Sequence, residues 1–167
     1  MESCAAFNGA EERHPGTDRL THPASYGNQD ALLMQLENKR ILVVGGAGLI
    51  GSHVVDQLLL EPVKEVIIYD NFTRGREDNI RQALRDPRCK VFEIGGDITQ
   101  PDILNKAMEG IDGVVHLAAL WLLHCHEFPE SAFDVNIRGT FNVIMAAIRN
   151  KVQRVVYSSS ASVYGNA

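Results

Sequence analysis

Residues 41–52 read ILVVGGAGLIGS. A short aliphatic run at 41–44 enters a turn with glycines at 45, 48 and 51, and a stretch with helical spacing follows at 49–60. Gly45 permits a sharp exit from a strand, and Gly51 lets the following helix pack closely on the sheet. A side chain at Gly48 would obstruct anything lowered onto the turn. The start of the helix, at Leu49 and Ile50, presents unpaired N–H groups and the positive end of the helix dipole, a natural seat for phosphate. A second hydrophobic run, 66–69, ends at Asp70, 19 positions after Gly51.

Strand, GxxGxxG turn, helix and distal carboxylate together form a variant of the dinucleotide-binding fingerprint. Asp70 is placed to accept both hydroxyls of the adenosine ribose and to repel a 2′-phosphate, which favours NAD over NADP. Arg74 and Arg76 lie in the next loop. They read either as a welcome for that 2′-phosphate or as a solvated loop. No Gly-Lys-Ser/Thr follows the glycines, which excludes a P-loop nucleotidase.

Beyond this unit, strand-like runs at 41–44, 65–69, 90–94, 113–117 and 154–157 alternate with helical stretches at 49–60, 77–84, 102–108 and 131–150. In the last stretch, Ala132, Val135, Phe141, Ile144, Met145 and Ile148 fall at spacings that favour one face. Short strands separated by helices imply an α/β fold, a parallel sheet covered on both sides. Right-handed crossovers then give a doubly wound (Rossmann) sheet of five strands in the order 3-2-1-4-5.

The first 38 residues differ from the rest. Six acidic and two basic residues give them −4 of the chain's −5, and no period is sustained. Residues 1–38 are expected to form a flexible acidic leader, with a short helix possible at 30–36, and residues 39–167 the dinucleotide-binding domain. The acidic balance argues against nucleic-acid or anionic-membrane partners. Three cysteines without paired spacing, and no secretory or membrane-spanning segment, point to a reduced, cytoplasmic protein.

Six motifs in order make residues 39–167 resemble the extended short-chain dehydrogenase/reductase family, in its NAD-dependent nucleotide-sugar epimerase/dehydratase branch. They are GGAGLIGS (45–52), YDNFTRG (69–75), GGDITQ (95–100), VVHLAA (114–119), VNIRGT (135–140) and VVYSSSASVYG (155–165). UDP-galactose 4-epimerases and UDP-glucuronate decarboxylases look most similar, through the Asp70-Asn71-Phe72 loop and the serine-rich run. The resemblance implies that Asp97 and Ile98 flank the adenine and that Leu117, Ala118 and Ala119 line the ribose and diphosphate. It places Asn136 near the nicotinamide, with Gly139 packed closely or beside a ligand. Ser160 matches the active-site Ser/Thr, whose hydroxyl bonds the sugar oxygen that exchanges a proton. The implied substrate is a UDP-sugar, and the complete enzyme is expected to be a homodimer that pairs partly through 131–150.

The branch couples that hydroxyl to a Tyr-x-x-x-Lys, in which the lysine lowers the tyrosine pKa so that the phenolate can act as a base. None of the four tyrosines has a lysine four residues on. Only the amino-terminal half of the enzyme is therefore expected here, without the substrate domain and without turnover. The alternative is a catalytically dead NAD-binding module, or a partner of a full-length relative. The run His124-Cys125-His126-Glu127 invites a metal reading, but adjacent residues point in different directions and no second ligand pair is evident. Strand five, at 154–157, is expected to be an open apolar edge.

Overall fold

In a computed structural model of the protein, residues 34–165 are described. They build a five-stranded parallel sheet from β1 (Arg40–Val44), β2 (Glu65–Tyr69), β3 (Cys89–Val91), β4 (Gly113–His116) and β5 (Arg154–Tyr157). The order is β3-β2-β1-β4-β5. β1 is central, with Val44 level with Tyr69 on one side and His116 on the other. This is the doubly wound α/β sheet that the alternation of strands and helices predicts.

Side chains alternate across β1 and β2. Ile41, Val43, Val66 and Ile68 face one layer, which holds α1 (Leu49–Leu60) through Val55 and α2 (Glu77–Ile80) through Ile80. Leu42, Val44, Ile67 and Tyr69 face the other, formed by α3 (Pro101–Ala107) and α6 (Thr140–Arg149) through Leu104, Ala107, Val143, Ala146 and Ala147. Both faces of the central strands are thus buried, as a parallel sheet requires.

Several boundaries differ from expectation. The helix expected at 77–84 is a single turn of α2 followed by a 3-10 turn, Ala83–Arg85. Its buried residues, Ile80 and Ala83, are three apart, the repeat of the tighter helix, and Pro87 prevents extension. β3 covers 89–91 rather than 90–94, because the chain turns away through Gly95 at φ +92°. β4 ends at His116, although the Leu117 N–H still bonds the Val44 carbonyl. The stretch 131–150 comprises α5 (Pro129–Ala132), a wider-wound segment Phe133–Gly139 and α6.

Val135 packs against the core, but within α6 the expected apolar face is not the one that meets the sheet. Val143, Ala146 and Ala147 are buried, whereas Phe141, Ile144 and Ile148 are exposed. Of the expected leader, Met34 and Leu36 pack against the α1 side of the core, and 34–36 is not helical. Residues 1–33 of the leader, with 30–33 of the possible helix, lie outside the described residues. No helix among the described residues is long and apolar enough to cross a membrane.

Candidate functional site

The glycine-rich turn joins the carboxyl end of β1 to α1, where ligands bind in open α/β sheets. Gly45 turns at φ +84°, and its N–H is held by the Tyr69 carbonyl at 2.8 Å. A Cβ there would stand 2.7 Å from the Ala118 backbone nitrogen, so the loop after β4 closes directly on the turn. A Cβ at Gly51 would stand 2.1 Å from the Gly45 carbonyl oxygen. The close approach expected of Gly51 is therefore made to the turn itself rather than to the sheet.

Asp70 follows β2 and ties two loops together. Its Oδ2 accepts the Ala47 N–H at 2.9 Å and its Oδ1 the Phe72 N–H at 2.8 Å. The Ala47 carbonyl in turn accepts the Arg76 N–H and the Asn79 side-chain amide. Each Asp70 oxygen has a further lone pair for a ligand hydroxyl. Asn71 turns back on its own loop, with Oδ1 accepting the Thr73 N–H at 3.1 Å.

In the loop after β3, Asp97 is also held by hydrogen bonds. Its Oδ1 accepts from the Thr99 N–H and hydroxyl, and its carbonyl accepts from the Tyr69 hydroxyl at 2.8 Å. Burial and the nearby Asp97 charge push Tyr69 well above the ordinary phenol range, so it stays a donor. Ile98 is buried and occupies the space beside Gly139, where a Cβ would come within 2.6 Å of its side chain. Gly139 is accounted for by that packing.

Asn136 lies in the wider-wound segment, a distortion that often marks functional sites. Its amide is clamped on the loop after β4: Oδ1 accepts the Leu120 N–H at 2.7 Å, and Nδ2 donates to the Leu120 carbonyl at 3.0 Å and to Cys125 Sγ at 3.4 Å. In this structure it shapes the wall of the cleft. His116, at the end of β4, is buried and pushed down to about 4 by that burial. Its Nε2 meets the Thr140 hydroxyl at 3.0 Å.

These elements enclose one cleft with two connected cavities. The first, about 310 Å³, brings together Gly45, Gly48, Asp70, Asn71, Asp97, Ile98, Leu117, Ala118 and Ala119. The second, about 1160 Å³, shares Gly45, Gly48, Leu117 and Ala119 with it and adds Leu49, Ile50, Gly51, Asn136 and Ser160. Every sequence-predicted site residue thus falls on this cleft. Ser160 also caps the 3-10 turn Ala161–Tyr164, with its Oγ accepting the Ser162 N–H at 3.2 Å. Its hydroxyl proton remains available to donate. His124 and Cys125 lie on α4 (Leu122–Glu127), and among the described residues no cluster suited to a metal is present.

Other contributors appear only in three dimensions. Gly96 has the Asp70 backbone where its Cβ would be, 2.2 Å away, and GGD at 95–97 was its sole sequence trace. Ala47 holds Asp70 and Arg76 through its backbone, which left no trace in the sequence. Trp121 and Arg74 meet across the cleft, with the guanidinium carbon 4.7 Å from the ring centroid.

Comparisons with known proteins fit this arrangement. The chain is 35% identical to UDP-glucuronic acid decarboxylase 6 of Arabidopsis thaliana over 130 residues, 77% of this chain and 36% of the relative. It is 35% identical to UDP-glucose 4-epimerase of Rickettsia rickettsii (strain Sheila Smith) over 133 residues, 76% of this chain and 38% of that one. The chain therefore spans little more than a third of the length of these relatives. Among solved structures, the dTDP-glucose 4,6-dehydratase DesIV of Streptomyces venezuelae, with NAD and TYD bound, superposes at a TM-score of 0.72 with 36% identity, covering 77% of this chain and 41% of its own. Residues 41–167 match the model of the NAD dependent epimerase/dehydratase family. With the sheet order, the glycine turn and the cleft all in agreement, the chain belongs to that family.

Proposed function

We propose that this chain is the NAD-binding portion of a nucleotide-sugar epimerase/dehydratase-type enzyme whose complete form acts on a UDP-sugar, with 4-epimerisation as its reaction. The observation that carries the reading is the cradle at Gly45, Gly48 and Gly51. Gly45 and Gly51 leave no room for a Cβ, the N-cap Gly48 lines both cavities, and the first residues of α1 open into the larger one. In the complete enzyme the bound dinucleotide supplies a hydride acceptor for the sugar carbon. Asp70 would take the adenosine ribose, Asn71 the same edge, and Asp97 and Ile98 the adenine. Leu117, Ala118 and Ala119 would line the ribose and diphosphate, while Leu49, Ile50 and Gly51 receive phosphate on backbone N–H groups. Asn136 would sit on the nicotinamide side, and the Ser160 hydroxyl would hydrogen-bond the sugar oxygen that loses and regains a proton.

The 167 residues hold no Tyr-x-x-x-Lys. General-base catalysis contributes about 10²–10⁴-fold, and substrate positioning contributes more. The chain alone is therefore expected to bind dinucleotide without turning over a UDP-sugar. The same observation favours the second reading, a catalytically dead NAD-binding module or a partner of a full-length relative. Pairing as a homodimer is supported by the exposed stripe Ile137, Phe141, Ile144 and Ile148. A cytoplasmic setting follows from the cysteine usage.

Calorimetric titration of the purified 167-residue chain with NAD and NADP tests the assignment. Saturable NAD binding, with NADP at least about tenfold weaker because Asp70 repels a 2′-phosphate, is expected. A folded chain that binds neither overturns it. Epimerase turnover by the chain, free of host enzyme, overturns the expectation of inactivity.

A further inference from the structure

We propose that Arg74, stacked on Trp121, is the cationic residue that closes the cleft over the diphosphate of a bound dinucleotide. The inference rests on the dinucleotide reading above and adds to it a residue and a closing contact. Arg74 is the only charged residue that lines both cavities. The smaller cavity reaches Asp70 and Asp97, and the larger reaches Ser160. A ligand occupying both must cross their junction above Gly45 and Gly48, and in a dinucleotide the part that joins the two halves is the diphosphate.

The two partners come from opposite banks. Arg74 stands on the loop after β2 and Trp121 on the loop after β4, with the guanidinium carbon 4.7 Å from the ring centroid. Both banks are anchored close by. On one, Asp70 holds the Ala47 and Phe72 N–H groups and the Arg76 N–H holds the Ala47 carbonyl. On the other, Asn136 clamps both backbone groups of Leu120, next to Trp121. Among the described residues no carboxylate pairs with Arg74. A guanidinium lying on an indole keeps its edge N–H donors free, and that planar fork matches phosphate oxygens. The ring holds the cation over the cleft until an anion arrives, which then draws it inward.

Trp121 is the only tryptophan in the chain, so its emission reports the contact directly. The test is titration of the 167-residue chain with NAD, NADP and ADP-ribose, by calorimetry and by Trp121 emission. Arg74→Met is expected to weaken NAD and ADP-ribose alike by at least tenfold, the scale of a lost charge-assisted bond, and to abolish the emission change on binding. Arg74→Lys keeps the charge but not the stacked fork and should recover only part of the affinity. Arg85→Met removes the same charge from an exposed residue that lines neither cavity and should stay within about twofold of wild type. Circular dichroism confirms folding, and Arg74→Gln replaces the methionine variant if that fails to fold. Unchanged NAD binding by Arg74→Met overturns this proposal while leaving the dinucleotide reading intact. So does a loss confined to NADP, which would make Arg74 a reader of the 2′-phosphate. Failure of the folded wild type to bind NAD overturns the dinucleotide reading, and this proposal with it.

Discussion

Alanine at Gly51 is expected to damage the fold, whereas the same change at Gly48 should damage only ligand binding. A Cβ at Gly51 would lie 2.1 Å from the Gly45 carbonyl oxygen and 2.8 Å from the Gly46 Cα. An ordinary contact is about 3.4 Å, so α1 and the turn must separate by roughly 1.3 Å within a close-packed interior. Neither gives easily, since the Gly45 N–H is bonded to the Tyr69 carbonyl and α1 is anchored by the fully buried Val55. Overpacking costs about 1–3 kcal/mol, and a clash between two backbones belongs at the upper end. Alanine regains about 1 kcal/mol of helix propensity over glycine. The net loss is about 2 kcal/mol, or about 6 °C in Tm for a domain of this size. At Gly48 a Cβ meets one atom, the Gly45 oxygen at 3.2 Å, and the residue is the N-cap of α1. Alanine there should cost less than about 1 kcal/mol, because glycine is itself only a modest cap. That methyl would nonetheless stand on the floor where both cavities meet. Thermal denaturation followed by ellipticity, paired with NAD calorimetry, separates the two effects. A Gly51→Ala chain that melts within about 1 °C of wild type would refute the packing argument. Equal destabilisation by both variants would refute the division between them.

Three further outcomes follow from the same geometry. Asp70→Ala strands the partly buried Ala47 N–H, while the exposed Phe72 N–H turns to water, and should lose about 1–2 kcal/mol as well as NAD affinity, measured by urea denaturation and calorimetry. His116 is neutral in the fold, its pKa pushed by burial from 6.5 down to about 4, while an unfolded histidine takes a proton near 6.5. Stability should therefore fall as pH drops from 6.5 to 4 and then level off, by about 3 kcal/mol from this group, and His116→Phe should flatten that slope in urea titrations. Val156, 53% exposed on the edge strand β5, presents an apolar surface for pairing. Val156→Lys should reduce self-association in sedimentation velocity, and an unchanged distribution would exclude β5 as the contact.

How far the sequence could be read varies with the kind of interaction involved. Strands β1 and β2 and helix α1 were legible because hydrophobic period, glycine spacing and a terminal carboxylate are local signals that agree. β3 and the region of α2 were less so. β3 is shortened where Gly96 must lie against the Asp70 backbone, a contact between residues 26 positions apart that no local period records. In α6 the apolar spacing was real but its direction was not readable, since Phe141, Ile144 and Ile148 face outward while Val143, Ala146 and Ala147 meet the sheet.

The candidate site divides along the same line. That Gly45, Gly48, Gly51 and Asp70 come together at one cleft was readable from the sequence alone, because strand, bare turn, helix start and carboxylate follow one another along one chain segment. Tertiary structure alone decided that Ala47 is held through its backbone, that Asn136 grips Leu120, and that Arg74 lies over Trp121. Those contacts join segments separated by β-strands and crossover helices. Backbone groups have no identity in a sequence, and a side chain's partner exists only once the sheet has brought β1, β2 and β4 side by side.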